Sequence, residues 1–158
     1  MKPGITLPRH GRIPSSNLGW SIIKMENCIF CKIIKEEIPA EKIYEDDSTL
    51  AFLDISPVNK GHALVIPKEH HETITEIPEE LLKNTISTVQ KIAKAVENIS
   101  DGINIMQNNK EIAGQVVPHV HFHIIPRLKD DGFKLNWRHT EYQKNEIKEF
   151  SKKIKSFL

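Results

Sequence analysis

Apolar and polar positions alternate with two different periods along the chain, and these periods predict its structural elements. Strand-like runs occur at EKIYED, STLAFLD, HALVIP, INIMQ and VVPHVHFHIIP, with turn residues such as Asp-Asp-Ser between them. Apolar residues recur at helical spacing from Pro78 to about Ile99, where Asp101-Gly102 ends the pattern. Shorter helices are predicted at CIFCKII and in the tail from about Glu141. Five strands grouped around one long helix predict an α+β fold with a mainly antiparallel sheet.

Length and composition predict a single domain over residues 25–158. The chain has 158 residues, of which 39% are hydrophobic and 27% charged, as in ordinary globular domains. Residues 1–24 are rich in Pro, Gly and Ser and lack the apolar core of a secretory signal. They are basic and contain no acidic residue, so an organelle-transit segment is one interpretation; the favoured one is an irregular extension before a start at Met25. No apolar run approaches 18 residues, so no membrane span is expected, and we expect a cytoplasmic protein.

Charge and cysteine content narrow the classes of function. The 22 Lys and Arg residues nearly balance 21 Asp and Glu residues, leaving a formal charge of +1. Such a chain has no basic excess with which to build a nucleic-acid groove, although a nucleotide-sized ligand needs only local donors. The 2 cysteines, Cys28 and Cys31, exclude a disulfide framework. Their CxxC spacing is typical of a metal site or a redox pair.

PHVHFHIIP carries the strongest chemical signal in the chain. In a strand, His119, His121 and His123 would share one face, with apolar residues on the other. Solvated strand faces normally carry Thr, Lys, Glu or Ser, which leaves the repeated imidazole unexplained. Neighbouring imidazoles disfavour simultaneous protonation and keep at least one neutral. The face is therefore a reaction centre or a metal site, and spacing alone does not separate three metal ligands from a covalent nucleophile.

CIFCKII, AFLDISP, GHALVIPK and PHVHFHIIP occur in the order and spacing found in the histidine triad family. The chain resembles that family from Asn27 to about Arg127, most closely its Hint-like bacterial branch. The resemblance implies a HIT-like fold, a homodimer, and a hydrolase or transferase acting on purine nucleotides.

The resemblance also implies catalytic roles. His121 is the expected nucleophile, which attacks the α-phosphorus of nucleoside phosphoramidates or dinucleoside polyphosphates and forms a covalent nucleotidyl-histidine. His123, His62 and the first triad histidine, His119, complete the expected catalytic set. No organic cofactor is expected.

The nucleotide-binding residues follow from the same resemblance. Phosphate donors are expected in the loop NNKEIAGQ, from Asn108, Gly114 and Gln115. Val116 follows, where some members of the family have Ser, so a hydroxyl contact is absent there. Asp54 is expected to accept hydrogen bonds from the ribose. The expected base pocket comprises Ile29, Phe30, Ile33 and Phe52.

A structural zinc site is also implied by the resemblance, with Cys28, Cys31, His70 and His119 as ligands. The competing interpretation is a reduced or redox-active thiol pair. Zinc is favoured because no thioredoxin-like βαβ pattern surrounds the cysteines. His71 lies next to His70 and is an alternative ligand.

Two other functions compete with covalent catalysis. In one, all three triad histidines bind a single catalytic metal. In the other, the protein is a nucleotide-binding sensor that does not turn over its ligand.

Overall fold

The computed structural model describes residues 27–158, which form three α-helices and five strands. The elements are, in chain order, α1 (Ile29–Ile34), β1 (Lys42–Glu45), β2 (Thr49–Leu53), β3 (Ala63–Pro67), α2 (Glu79–Glu97), β4 (Gly102–Met106), a 3-10 turn (Glu111–Ala113), β5 (Phe122–Arg127) and α3 (Glu146–Lys155). The strands form one antiparallel sheet in the order β1-β2-β3-β5-β4. The α+β prediction is confirmed, whereas the interpretation of residues 1–24 lies outside the described residues.

Helix α2 covers one face of the sheet. Its first turn follows Pro78, whose φ of −59° suits a helix start, and Glu79 and Glu80 lie at the positive end of the helix dipole. The apolar stripe of α2 packs against alternate residues of β2, β3 and β5. This core includes Ala51, Val65, Val89, Ile92, Val96, Val120, Phe122 and Ile124. The apolar residues that recur at helical spacing thus form one buried interface between α2 and the sheet.

The opposite face of the sheet is covered by α1. The intervening residues of β2 and β3 pack against the apolar side of this short helix. This second core comprises Cys28, Phe30, Cys31, Ile33, Leu50, Phe52, Leu64 and Ile66. Because both of their faces are covered, β2 and β3 are almost entirely buried, in keeping with their nearly continuous apolar sequences.

The histidine-rich strand begins later than predicted. VVPHVHFHIIP was expected to be one strand, but β5 starts at Phe122 and contains only the last triad histidine, His123. Pro118 has no N–H to donate to a strand ladder, and the N–H of Val120 donates to the carbonyl of His71 at 2.7 Å. His119 and His121 therefore lie in an irregular segment that leads into β5.

The tail contributes to neither core. No residue of α3 is buried, and Trp137, Ile147, Phe150 and Ile154 are exposed. Within residues 27–158, no helix combines the length and apolar character needed to cross a bilayer.

Candidate active site

His121 is held in one tautomer by the backbone. Its Nδ1 lies 2.6 Å from the carbonyl oxygen of His119, which can only accept a hydrogen bond. Nδ1 therefore carries the proton, and Nε2 keeps its lone pair. Burial lowers the pKa of His121, against the opposing effects of that hydrogen bond and of Asp54. The ring is thus a neutral imidazole near pH 7, with a nucleophilic nitrogen on the side away from the backbone.

His62 and His123 form a second imidazole pair. The Nδ1 of His62 accepts the N–H of Val58 at 3.2 Å, so its Nε2 carries the proton and donates to Nδ1 of His123 at 3.0 Å. In neutral His123 the remaining proton is then on Nε2. Burial lowers the pKa of His123 to about 4, with smaller contributions from His121 and His62, and Asp54 opposes the shift. His123 consequently presents an N–H donor beside the ring of His121, at a centroid distance of 4.9 Å.

A mainly apolar cavity of about 650 Å³ opens next to these rings. Eight of the residues predicted from the sequence to form the site line this cavity: Ile29, Phe30, Ile33, Phe52, Asp54, Gly114, His121 and His123. The ring of Phe30 contacts Phe52 and His121 edge-on, at centroid distances of 5.6 and 5.2 Å. The cavity therefore combines an aromatic and aliphatic wall with imidazole and carboxylate groups.

Several cavity residues were not predicted. Ile38, Pro39, Ala40 and Val117 also line it. The first three follow α1 in a connecting segment that has no strand or helix period. Their sequence therefore looked like an ordinary connection and gave no sign of a ligand site. Helix α1 ends at Ile34, and Pro39 in IPA was the available signal that a connecting segment follows it.

The Asp54 carboxylate both caps a turn and lines the cavity. Its Oδ1 accepts the N–H of Ser56 at 2.8 Å, which is the cap of the following turn. Its Oδ2 lies 3.7 Å from Nδ1 of His62. The carboxylate is thereby fixed at the rim, between the apolar wall and the imidazole pair.

The loop before the histidines is braced by Gln115. Its side-chain oxygen accepts the N–H of Lys110 at 2.6 Å, and its amide donates to the carbonyl of Glu72 at 2.6 Å. Gly114 has φ of +89°, a conformation that favours glycine, and lies beside the side chain of Asn108. Gly114 lines the cavity, whereas Gln115 holds the loop in shape; phosphate donation by Gln115 and Asn108 stays a prediction.

A second group of side chains, the cysteine cluster, comprises Cys28, Cys31, His70 and His119. Both thiols are buried, and His119 Nδ1 lies 3.5 and 3.7 Å from the sulfurs of Cys28 and Cys31. His70 Nδ1 lies 3.4 Å from the Cys31 sulfur and 3.2 Å from His119 Nδ1. Burial, together with Cys28, raises the pKa of the Cys31 thiol to about 12.

This donor set fits a tetrahedral zinc ion. Zinc bonds of about 2.0–2.1 Å to nitrogen and about 2.3 Å to sulfur imply separations of roughly 3.3–3.8 Å between ligand atoms. The distances of 3.4, 3.5 and 3.7 Å lie in that range, and the distance of 3.2 Å lies just below it. His119 Nε2 donates to the carbonyl of Pro67 at 2.9 Å, which leaves its Nδ1 as the lone-pair nitrogen that faces the other three donors.

The three triad histidines do not share one metal position. Within residues 27–158, side chains that could hold one ion form two groups, the four residues above and a set of Asp54, His62 and His123. His121 belongs to neither. His119 thus belongs to the cysteine cluster, His121 is oriented by a backbone carbonyl, and His123 pairs with His62.

The antiparallel α+β fold and the alternating histidines beside an apolar cavity define a histidine triad protein. The sequence model of the HIT domain matches residues 35–130, more than half of the chain. The chain belongs to the HIT family.

Three curated relatives show how widely the similarity extends. Protein hit of Bacillus subtilis is 50% identical over 134 residues, covering 82% of this chain and 92% of that protein. Adenosine 5'-monophosphoramidase hnt1 of Schizosaccharomyces pombe is 44% identical over 131 residues, covering 82% and 97%. Adenylylsulfatase HINT3 of Arabidopsis thaliana is 42% identical over 123 residues, covering 77% and 59%.

Solved structures agree with this assignment. The crystal structure of a HIT family member from Bacillus subtilis superposes with a TM-score of 0.79 at 47% identity, covering 84% of this chain and 97% of that one. A Zn-bound histidine triad family protein from Mycobacterium smegmatis gives a TM-score of 0.65 at 34% identity, covering 85% and 99%.

Proposed function

We propose that this protein is a nucleotide hydrolase or transferase that cleaves a phosphoramidate or phosphoanhydride bond at the α-phosphorus of a purine nucleotide. The observation that carries the proposal is the fixed tautomer of His121, whose Nδ1–H···O=C bond of 2.6 Å leaves Nε2 nucleophilic. The names of two relatives, a monophosphoramidase and an adenylylsulfatase, support the same class of reaction.

In the first step, Nε2 of His121 attacks the α-phosphorus and forms a P–N bond. The bond from phosphorus to the leaving amine or phosphate breaks, and its electron pair leaves with that group; a leaving amine takes up a proton from solvent, and the second step returns one. The Nε2–H of His123 donates to a non-bridging phosphoryl oxygen, where negative charge accumulates. In the second step, water attacks the phosphorus, the bond to His121 breaks, and nucleoside monophosphate and a proton are released. Two smaller displacements replace one difficult step.

The cavity supports the proposal that a nucleotide binds here. Phe30 and Phe52 provide apolar ring surfaces large enough for a purine, together with Ile29 and Ile33. Asp54 also lines the cavity and is proposed to accept hydrogen bonds from the ribose hydroxyls. A volume of about 650 Å³ is within the usual range for a small-ligand site.

The cysteine cluster is proposed to hold structural zinc. Cys28, Cys31, His70 and His119 would be the ligands, and a bound ion would cross-link α1 to the segment before β5. The Zn-bound relative from Mycobacterium smegmatis supports this proposal. No catalytic step needs the ion to touch the nucleotide.

Rapid-quench assays test the covalent mechanism. With adenosine 5'-phosphoramidate, we expect a burst of ammonia and an acid-sensitive adenylyl group on His121, found by mass spectrometry of peptides from the quenched protein. Diadenosine tetraphosphate and an aminoacyl adenylate, assayed in parallel, define the leaving group. Turnover should need no added divalent metal.

Two outcomes would redirect the proposal. Turnover that depends wholly on a replaceable metal, without a trapped adduct, would favour the metal-dependent enzyme. Tight binding of adenosine monophosphate without any burst would favour the sensor.

A homodimer is also proposed, with the tail as part of its interface. The α3 side chains Ile147, Phe150 and Ile154 are 58%, 47% and 61% exposed, and Ile105 on the edge strand β4 is 49% exposed. Covering these groups against a second copy would remove apolar surface from water.

Charge insertion into α3 tests the dimer. We expect the full chain to sediment as a dimer and the double variant Phe150→Glu, Ile154→Glu to sediment as a folded monomer. Ser151→Glu, which adds a charge at an exposed position of the same helix, is the matched control and should stay dimeric. A monomeric wild-type protein at micromolar concentration would contradict the proposal.

A further inference from the structure

The geometry points to Cys28, Cys31 and His70 as positioning residues for the nucleophile, which act on His121 when they bind a metal with His119. This inference rests on the proposed function and extends it. The cluster would not merely stabilise the fold, because two separate chains of contacts connect it to the ring of His121.

The first connection passes through His119. Its Nδ1 faces the cluster, its Nε2 donates to the carbonyl of Pro67, and its own carbonyl accepts from Nδ1 of His121. One residue is thus both a ligand of the cluster and the acceptor that fixes the tautomer of the nucleophile. Any rotation of residue 119 would move the acceptor for that 2.6 Å hydrogen bond.

The carbonyl of His119 is not fixed by the sheet. β5 begins at Phe122, so the strand ladder does not include residues 119–121. This segment is held by the hydrogen bonds from His119 N–H to the Val117 carbonyl and from Val120 N–H to the His71 carbonyl, by the burial of Val120 in the α2 core, and by the contacts of the His119 ring with Pro67 and the cluster. Since one of those ring contacts is the cluster itself, an ion there would fix the segment where regular hydrogen bonding does not.

The second connection passes through Phe30. This residue lies between Cys28 and Cys31 in sequence, and its ring contacts His119 and His121 edge-on, at centroid distances of 5.8 and 5.2 Å. Helix α1 has 6 residues and no side-chain cap at its N-terminus, so its own hydrogen bonds hold it weakly. Tethering both cysteines would fix the ring that packs against the nucleophile.

Metal depletion and restoration provide the test. Zinc-loaded full-length protein is compared with the same protein after chelation, and again after addition of one equivalent of zinc. Two quantities are measured: the single-turnover rate of adenylyl transfer to His121, and the Nδ1–H and Nε2 resonances of the ¹⁵N-labelled His121 ring.

Depletion should lower the single-turnover rate about ten- to a hundredfold, the usual effect of losing groups that orient a reacting residue. The slowly exchanging Nδ1–H signal should disappear as the ring samples both tautomers, and zinc should restore both quantities. Cys31→Ser should reproduce the depleted state without responding to zinc. Val96→Ala, which removes buried methyl groups from the core under α2, should lower the free energy of unfolding while leaving the rate and the ring signals unchanged.

The inference is overturned if folded, depleted protein keeps the rate and ring signals of the loaded form. It is also overturned if both are lost only as the amide signals of Val120 and Ile124 report unfolding of the core, since the cluster would then serve stability alone. Failure of the proposed function is distinguishable: the loaded protein would not form an adduct, although its ring signals would still respond to zinc.

Discussion

His121→Ala should reduce turnover of adenosine 5'-phosphoramidate at least about a thousandfold, because removal of a nucleophile eliminates the covalent route rather than weakening it. Binding of adenosine monophosphate should change only a few-fold, since the apolar wall of the cavity and Asp54 are untouched. Stopped-flow or coupled assays give the rate, and calorimetry gives the dissociation constant.

A matched control separates chemistry from packing. His71→Ala removes an imidazole close to the site, whose Nε2 pairs with Glu69, and should keep nearly full turnover. Added imidazole should partly restore His121→Ala, because the deleted ring leaves space beside the phosphorus. If binding of adenosine monophosphate falls as steeply as turnover, the role of His121 is in folding or ligand binding, and the nucleophile assignment is wrong.

Loss of the cysteine cluster should produce the largest change in stability. We expect the purified protein to contain one zinc per chain, and Cys28→Ser and His70→Ala to contain none. Binding of a structural zinc contributes on the order of 10 kcal/mol in small domains, so the free energy of unfolding should fall by several kcal/mol. Elemental analysis gives the metal content, and thermal unfolding with and without chelator gives the stability.

His71→Ala is again the informative partner, because residues 70 and 71 are adjacent and both are histidine. The Nδ1 of His70 faces the cluster, whereas the imidazole of His71 contacts Glu69. The His71 variant should therefore retain zinc. Loss of zinc from the His71 variant, or an unchanged zinc content in Cys28→Ser, would contradict the ligand set.

The regular elements were predictable because their local signals agree with their tertiary environment. Helix α2 has Pro78 at its start, acidic residues in its first turn and a continuous apolar stripe, so its existence did not depend on distant contacts. The start of β5 was not predictable in the same way. The histidine segment alternates like a strand, but Pro118 and the bond from Val120 to His71, 49 positions away, keep it out of the ladder.

The site was predictable in its residue types but not in its connections. The triad and the CxxC pair stand out in the sequence, and spacing left open whether three histidines bind one metal. The structure separates them because His119 faces Cys28, His121 faces a carbonyl, and His123 faces His62, 61 positions earlier. Such orientations depend on how β3, β5 and α1 meet, which no local period encodes.

The contact between Cys28 and His119 spans 91 positions of the chain. During synthesis, Cys28 and Cys31 leave the ribosome long before His119. The cluster can therefore be completed only after translation has passed residue 119. A product truncated before residue 119 would retain both cysteines and His70 but would lack the fourth member of the cluster.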